Sequence, residues 1–125
     1  MKRGLIPFGL LTFFFFVGCS NEPRLVEVEG TVTFKGKAVP KGVVFFDPDV
    51  VKQHDGPQGY AYILEGKFTT KGAGRGVRPG PHLARVQGMD GKPAEEFPLG
   101  RPLFPEAALP FDIKEGQPLV IEVKR

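Results

Sequence analysis

The sequence is poor in the residues on which most catalytic sites depend. Its 125 residues include a single Cys, a single Ser, two His and no Trp. A nucleophilic triad needs a Ser, Cys or Thr beside a His that a third group holds in place. Neither His54 nor His82 lies in a recognisable motif of this kind. We therefore predict no catalytic residues and no enzyme activity.

Ligands for metals are equally scarce. One Cys excludes both an intrachain disulfide framework and a multi-cysteine metal site, and two distant His do not supply the three or four ligands of a zinc site. Asp47, Asp49 and Asp55 lack the spacing of an EF-hand calcium loop and are expected to start turns. The sequence therefore predicts no metal site and no cofactor.

The first 18 residues have the parts of a cleavable export signal. Lys2 and Arg3 form a basic start, and no charge follows from Gly4 to Val17. That apolar run is shorter than the roughly 20 residues of a membrane-spanning helix. A basic start, a short apolar stretch and a small residue before the cut are typical of a secretory signal.

The cut site itself resembles a bacterial lipobox. Residues 16–19 read Phe-Val-Gly-Cys, with a small residue directly before the only Cys. The resemblance implies that residues 1–18 are removed, that Cys19 becomes a lipid anchor and that residues 19–24 form a tether. It also implies a place in the cell envelope, on the outer membrane or facing the periplasm. The alternatives are a plain secretory signal with an incidental Cys, or a small membrane anchor that is left uncut.

Residues 25–125 are predicted to form one all-β domain. Residues 25–34 alternate apolar and polar side chains, the period of a strand with one buried face. Further strands are expected at residues 43–46, 60–64, 67–70, 82–87 and 118–124. No stretch of 12 residues carries a helical period, so six or seven short strands separated by Gly and Pro turns favour a β-sandwich.

One segment does not fit a simple strand pattern. Residues 88–118 contain six prolines, yet they also contain apolar side chains that a solvated linker would not need. We expect this segment to cross a sheet face or edge as a strap, where its prolines would protect an edge strand. The side chains predicted to be buried in it are Phe97, Leu99, Leu103, Phe104, Leu109 and Phe111.

Three blocks of the domain form a further pattern, VEGTVTFKGKAVPKGVVF at 28–45, AYILEGKFT at 61–69 and GVRPGPHLARV at 76–86. They resemble carboxypeptidase-regulatory-like domains, which belong to the transthyretin-like (prealbumin-like) sandwiches. The resemblance implies an Ig-like or transthyretin-like β-sandwich of about seven strands. It departs from the family pattern at His82, where an aromatic residue such as Tyr is usual. Its motifs are structural, so they do not settle function.

Charge is uneven along the chain. Residues 66–89 hold five cations and no acid. A basic loop at 71–78 could meet anionic head groups, phosphorylated sugars or an acidic protein. Removal of residues 1–18 lowers the net charge from +3 to +1, which argues against nucleic acid as a partner. The candidate binding residues are Lys71, Arg75, Arg78, His82 and Arg85.

These observations favour a lipid-anchored envelope protein whose non-catalytic domain makes protein or glycan contacts. One alternative is a small-ligand binder or a transthyretin-like hydrolase, which would need a deep pocket lined by His82, Arg78 and Arg85. The other is a purely structural accessory module. The partners predicted are therefore a membrane, reached through Cys19, and an envelope protein or glycan.

Overall fold

A computed structural model describes residues 24–124, together with Gly4 and Gly9. The export signal at 1–18 and Cys19 lie outside the described residues, apart from those two glycines. Among the described residues the all-β prediction is confirmed, with eight strands rather than about seven. The strands are β1 (Glu29–Phe34), β2 (Lys37–Ala38), β3 (Lys41–Pro48), β4 (Gly59–Leu64), β5 (Lys67–Thr69), β6 (Gly80–Met89), β7 (Ala107–Ile113) and β8 (Leu119–Val123).

The strands form one curled, mainly antiparallel sheet. Its order is β2-β1-β5-β4-β3-β6-β7, and β8 pairs with β1 in parallel. The longest ladder joins β3 to β6, with Val44 opposite Val86. Between β3 and β4 the chain makes a short 3-10 turn at Val50–Lys52. Because the sheet curls, its concave side encloses the core and its convex side faces solvent.

Period-2 alternation decides which side chains enter the core. Val44 and Phe46 of β3 are fully buried, and Ala61 and Ile63 of β4 lie beside them. A buried Val or Phe side chain contributes about 1.5–3 kcal/mol relative to an exposed one. β8 closes the core with side chains from alternate positions, Leu119, Ile121 and Val123.

Two hairpins are fixed by paired residues with positive φ. Lys35 and Gly36 connect β1 to β2 with φ of 50° and 78°, and Glu65 and Gly66 connect β4 to β5 with φ of 50° and 77°. Two consecutive positive φ values are the signature of a type I′ turn, whose twist matches that of the flanking strands. The tight turn predicted at Glu65-Gly66 is therefore present.

A close approach explains one further glycine. A Cβ on Gly30 would lie 2.0 Å from the carbonyl oxygen of Leu119. Only Gly allows β8 to come this near to β1. β1 and β8 therefore pair closely at Gly30, a position that no larger residue could occupy.

The proline-rich segment differs from its prediction in two ways. Its second half is a regular edge strand, β7, which pairs with β6 and carries Pro110. Its first half packs less fully than expected: Phe104 is 5% exposed, but Leu99 is 49% exposed. The remaining four apolar side chains, Phe97, Leu103, Leu109 and Phe111, are half-buried. The prediction that all six are buried is therefore wrong, because single edge pairing covers only one side of the strap.

Candidate functional site

The basic residues predicted from the sequence do not form one cluster. Lys71 lies beside β5, while Arg75 pairs its backbone with Tyr60 through two hydrogen bonds of 2.9 and 3.0 Å. Arg78 forms an ion pair with Asp55. Arg85 lies on the convex side of β6, opposite Phe45 of β3. The five candidates therefore do not share one surface, and His82 lies in the core.

His82 is the candidate that the fold buries. It is 1% exposed on the concave side of β6. Its Nδ1 lies 2.9 Å from the carbonyl oxygen of Gly80, and since a carbonyl only accepts, Nδ1 must carry the proton. Nε2 therefore keeps a bare lone pair, which has no partner among the described residues. Burial lowers the pKa of His82 below its ordinary value of 6.5.

His54 covers His82 from the loop after β3. The two rings meet edge-on with their centroids 4.9 Å apart. The Nε2 of His54 lies 3.2 Å from the carbonyl oxygen of Arg78 and donates to it when protonated. Neither of the two clefts described below is lined by His82, Arg78 or Arg85. His82 lies in the core, whereas Arg78 and Arg85 are held in ion pairs at the surface.

The convex side of β3 and β6 carries a polar network that centres on Arg85. Its guanidinium pairs with Asp47 through Nε and with Glu106 through Nη1, the latter at 3.3 Å. Gln58 donates to Asp47 at 2.6 Å, and Gln87 donates to Glu106 at 2.6 Å. We call these five side chains the polar network. Each side chain is held by at least one other, so the group is ordered before any ligand arrives.

The ionisation of the polar network follows from these bonds. Partial burial acts to raise the pKa of Asp47, but hydrogen bonds from Arg85 and Gln58 outweigh it and the pKa lies below its ordinary value. The hydrogen bond from Gln87 lowers the pKa of Glu106. The network therefore stays ionised through the neutral range, with two carboxylates for one guanidinium.

Aromatic rings adjoin the polar network on the same side of the sheet. Phe45 lies under Arg85, with the guanidinium carbon 5.0 Å from the ring centroid. In the register of β3 and β4, Phe45 is opposite Tyr60. Tyr60 meets Tyr62 edge-on at 6.0 Å, and Tyr62 is 56% exposed. The convex side thus offers ordered polar groups at β6 and an exposed ring at β4.

Beyond Tyr62 the convex side forms an open groove of about 690 Å³. We call it the β1–β5–β4 groove, after the three strands whose outward side chains line it. Two lysines belong to it, and neither forms an ion pair with any other residue described. Its lining is mostly carbon and includes Thr31, Tyr62, Leu64, Lys67, Lys71, Ala73 and Pro118.

Sequence reasoning missed this surface, although β4 held the signal. Residues 59–64 read GYAYIL, so both faces of the strand are apolar. Ala61 and Ile63 fill the core, and their neighbours Tyr62 and Leu64 must then face solvent, each more than half exposed. Tyr62 and Leu64 thus form an exposed apolar patch beside a filled core face, a feature that marks a candidate site for a ligand or a partner.

Residues 24–124, with Gly4 and Gly9, hold no group of three or more His, Cys, Asp or Glu side chains placed to bind a metal. Among the same residues no helix has the length and apolar character needed to cross a bilayer. Comparison of the chain with protein-family models, with curated proteins and with solved structures found no match.

Proposed function

We propose that the chain is a lipid-anchored protein of the cell envelope whose β domain is a non-catalytic binding module. The proposal for the anchor is supported by the lipobox-like residues 16–19. The finer fold proposed is a transthyretin-like sandwich of the carboxypeptidase-regulatory-like kind. It is supported by the curled sheet and by the type I′ turn at Glu65 and Gly66, within one of the resembling blocks.

The observation that carries the binding role is the polar network beside exposed aromatic rings. A pyranose presents hydroxyls around its edge and C–H groups on its faces. Carboxylates accept hydrogen bonds from the hydroxyls, whereas amides and guanidinium groups donate hydrogen bonds to the hydroxyls. An aromatic face packs against the apolar C–H surface of the sugar. Because Asp47, Arg85 and Glu106 already hold one another, little side-chain entropy is lost on binding.

A glycan is favoured over a protein as the partner of this face. The centre of a protein interface is typically depleted in charged residues, whereas the polar network puts three charges at its centre. Nucleic acid is disfavoured because the network holds two carboxylates for one guanidinium. A small-ligand function is the second candidate, and the β1–β5–β4 groove is the feature that favours it. A purely structural role is the third, and it would leave both surfaces without a ligand.

The anchor is tested by fractionation of cells that express the Cys19→Ala variant. The parent protein is expected in the membrane fraction and the variant in the soluble fraction, since the variant lacks the thiol that would be acylated. Ser20→Ala, next to the same site, is the matched control and should remain with membranes. A C19A protein that stays membrane-bound would contradict the anchor.

The glycan role is tested by co-sedimentation with insoluble, protein-free cell-wall glycan. Arg85→Gln and Tyr62→Ala should each reduce the bound fraction severalfold, because the first disperses the polar network and the second removes the exposed ring. Val120→Ala, which trims an exposed side chain on β8, should bind as the parent does. Equal binding by all four proteins would refute the role of this face.

A further inference from the structure

We propose that the β1–β5–β4 groove is a separate binding site for a single-chain lipid with an anionic head group. The proposal rests on the shape, lining and charge of the groove. It does not require the polar network to bind glycan, because none of the five side chains of that network lines the groove.

The groove has the size and the floor of a ligand site. Its volume of about 690 Å³ falls within the roughly 300–1,000 Å³ of typical small-molecule clefts. Two rows of outward side chains cross it in register. One row pairs Thr31 with Lys67 and Lys67 with Leu64. The other row of side chains crosses β5 and ends at Tyr62 of β4, whose ring is 56% exposed.

The apolar part of this lining needs an apolar occupant. Tyr62 and Leu64 are 56% and 55% exposed on neighbouring positions of one strand face. Covering exposed apolar surface is favourable in proportion to the area removed from water. An alkyl chain laid along β4 would cover both side chains at once, whereas a single sugar ring packed on Tyr62 would leave Leu64 exposed.

The charges of the groove select an anionic head group. Lys67 and Lys71 both line it, Glu29 is the one acid there, and no described residue pairs with either lysine. An ammonium group on a flexible stem is a mobile point charge that suits phosphate or carboxylate. The two lysines therefore supply the charged contact to a head group that the apolar lining cannot make.

The charges of the adjoining cleft support the placement of the anionic head group in the groove. The cleft shares Lys71 and Glu29 with the groove, but it adds Glu27 and Glu115 and lacks Lys67. Glu115 pairs with Arg24, which leaves Glu27 and Glu29 against Lys71 in the cleft. The groove sets two lysines against Glu29, so the head group is favoured there and not in the cleft. The contrast also means that the positive charge at the groove is local and does not reflect the domain as a whole.

The groove lies on the side where the described chain begins. Arg24 pairs with Glu115 at 2.7 Å beside the acidic cleft, which runs into the groove. Four residues lie between Cys19 and Arg24, and the five steps from one Cα to the next can span at most about 18 Å. This one step rests on the proposed anchor: an acylated Cys19 would hold the groove within reach of membrane lipids. The chemistry of the groove stands without it.

The test uses the tyrosine emission of the purified full-length protein. The chain has two Tyr and no Trp, so Tyr60→Phe leaves Tyr62, in the groove, as the sole emitter. The leader contains neither residue type and contributes no signal. Three probes below any micellar concentration separate head from tail: dodecyl phosphate, dodecyl maltoside and inorganic phosphate.

Dodecyl phosphate is expected to change the Tyr62 emission saturably, and both other probes should bind at least tenfold more weakly. Lys67→Gln with Lys71→Gln should weaken dodecyl phosphate roughly 5- to 30-fold, the loss of two exposed ion pairs. Leu64→Gln should weaken it too, and it reports on the tail alone. Lys52→Gln, at the 3-10 turn, is the matched charge control and should bind as the Y60F parent does.

Equal responses to dodecyl phosphate and dodecyl maltoside would overturn the anionic assignment. A response to inorganic phosphate as strong as that to dodecyl phosphate would overturn the role of the apolar floor. Unchanged binding by the K67Q/K71Q protein, with thermal midpoints equal across the set, would overturn the site itself. None of these results would alter the fractionation of C19A or the sedimentation of R85Q, so the two proposals fail independently.

Discussion

Acid should destabilise the protein through His82 before it affects the carboxylates. His82 is 1% exposed, its Nδ1 proton is committed to Gly80, and its Nε2 has no partner among the described residues. A second proton would have to be buried on Nε2 beside the ring of His54. Burial accordingly places the pKa of His82 below its ordinary 6.5, although Asp47 and Asp49 act to raise it.

The sign and the size follow from linkage. Below pH 6.5 the unfolded chain takes up a proton at His82 that the folded protein does not, so the unfolded state binds more protons and stability falls with falling pH. The slope approaches about 1.4 kcal/mol per pH unit for one proton. Against its value at pH 7.5, the contribution lost by pH 5.0 is at most about 2 kcal/mol. The loss stops growing below the folded pKa.

Urea unfolding between pH 5.0 and 7.5, followed by tyrosine emission, measures this loss. His82→Phe should flatten the pH dependence, because a ring of similar size then fills the site without titrating. His54→Gln is the matched control and should keep the part of the slope that His82 causes. The range stays above pH 5.0 because Asp47 and Glu106 have lowered pKa values and lose their contribution only in stronger acid.

A pH dependence in H82F as steep as in the parent would refute this account. Such a result would show that His82 takes up its second proton equally in the folded and unfolded states. The buried Nε2 would then have to find a hydrogen-bond partner in the folded protein. A parent whose stability rises as the pH falls from 7.5 to 5.0 would refute the sign as well.

Three further predictions concern packing and the polar network. Gly88→Ala should destabilise the protein by about 1–3 kcal/mol in urea unfolding, since its Cβ would lie 2.6 Å from the Phe104 ring. Combining it with Phe104→Leu should restore part of the lost stability. An unaffected G88A protein would show that the strap does not pack against Gly88. Phe104→Ala should lower the free energy of unfolding by about 3–5 kcal/mol, because this ring is 5% exposed and its centroid lies 4.8 Å from that of Phe34. A change below about 1 kcal/mol would mean that the strap is not part of the core. Arg85→Gln should cost less than about 1 kcal/mol in the same assay, because its ion pairs are partly exposed, and a larger loss would make the network structural.

The sequence predicted the parts of the fold that local rules decide. Val26, Val28 and Val32 alternate with polar residues, and all three are buried. The turn at Glu65 and Gly66 is readable because Gly is the residue that most easily takes positive φ. Neither feature depends on distant parts of the chain.

The parts that the sequence did not predict depend on pairing between distant segments. The side chains of β7 alternate between half-buried and exposed, but Pro110 within the strand and the prolines before it argue against a regular strand. β7 forms because β6 offers it a free edge, with Leu83 opposite Pro110. The exposure of Leu99 has the same origin, since nothing described covers that side of the strap. Propensity alone cannot find a strand that pairing creates.

The candidate site shows the same limit. Lys71, Arg78 and Arg85 lie within 15 residues of one another, so a basic surface was a natural prediction. The folded chain instead places Arg85 against Asp47 and Arg78 against Asp55. Lys71 alone of these three forms no ion pair with a described residue, and it lines the β1–β5–β4 groove together with Lys67 of the same segment. Charge counted along the chain does not show which cations the fold leaves without an acidic partner.

The most direct test of the central claim, a lipid-anchored envelope module, is the intact mass and N-terminal identity of the protein purified from membranes. The account predicts a chain that begins at Cys19, lacks residues 1–18 and carries the added mass of acyl chains, all of it on the N-terminal peptide. An unmodified chain that begins at Met1, or a cleaved chain with an unmodified Cys19, would contradict it.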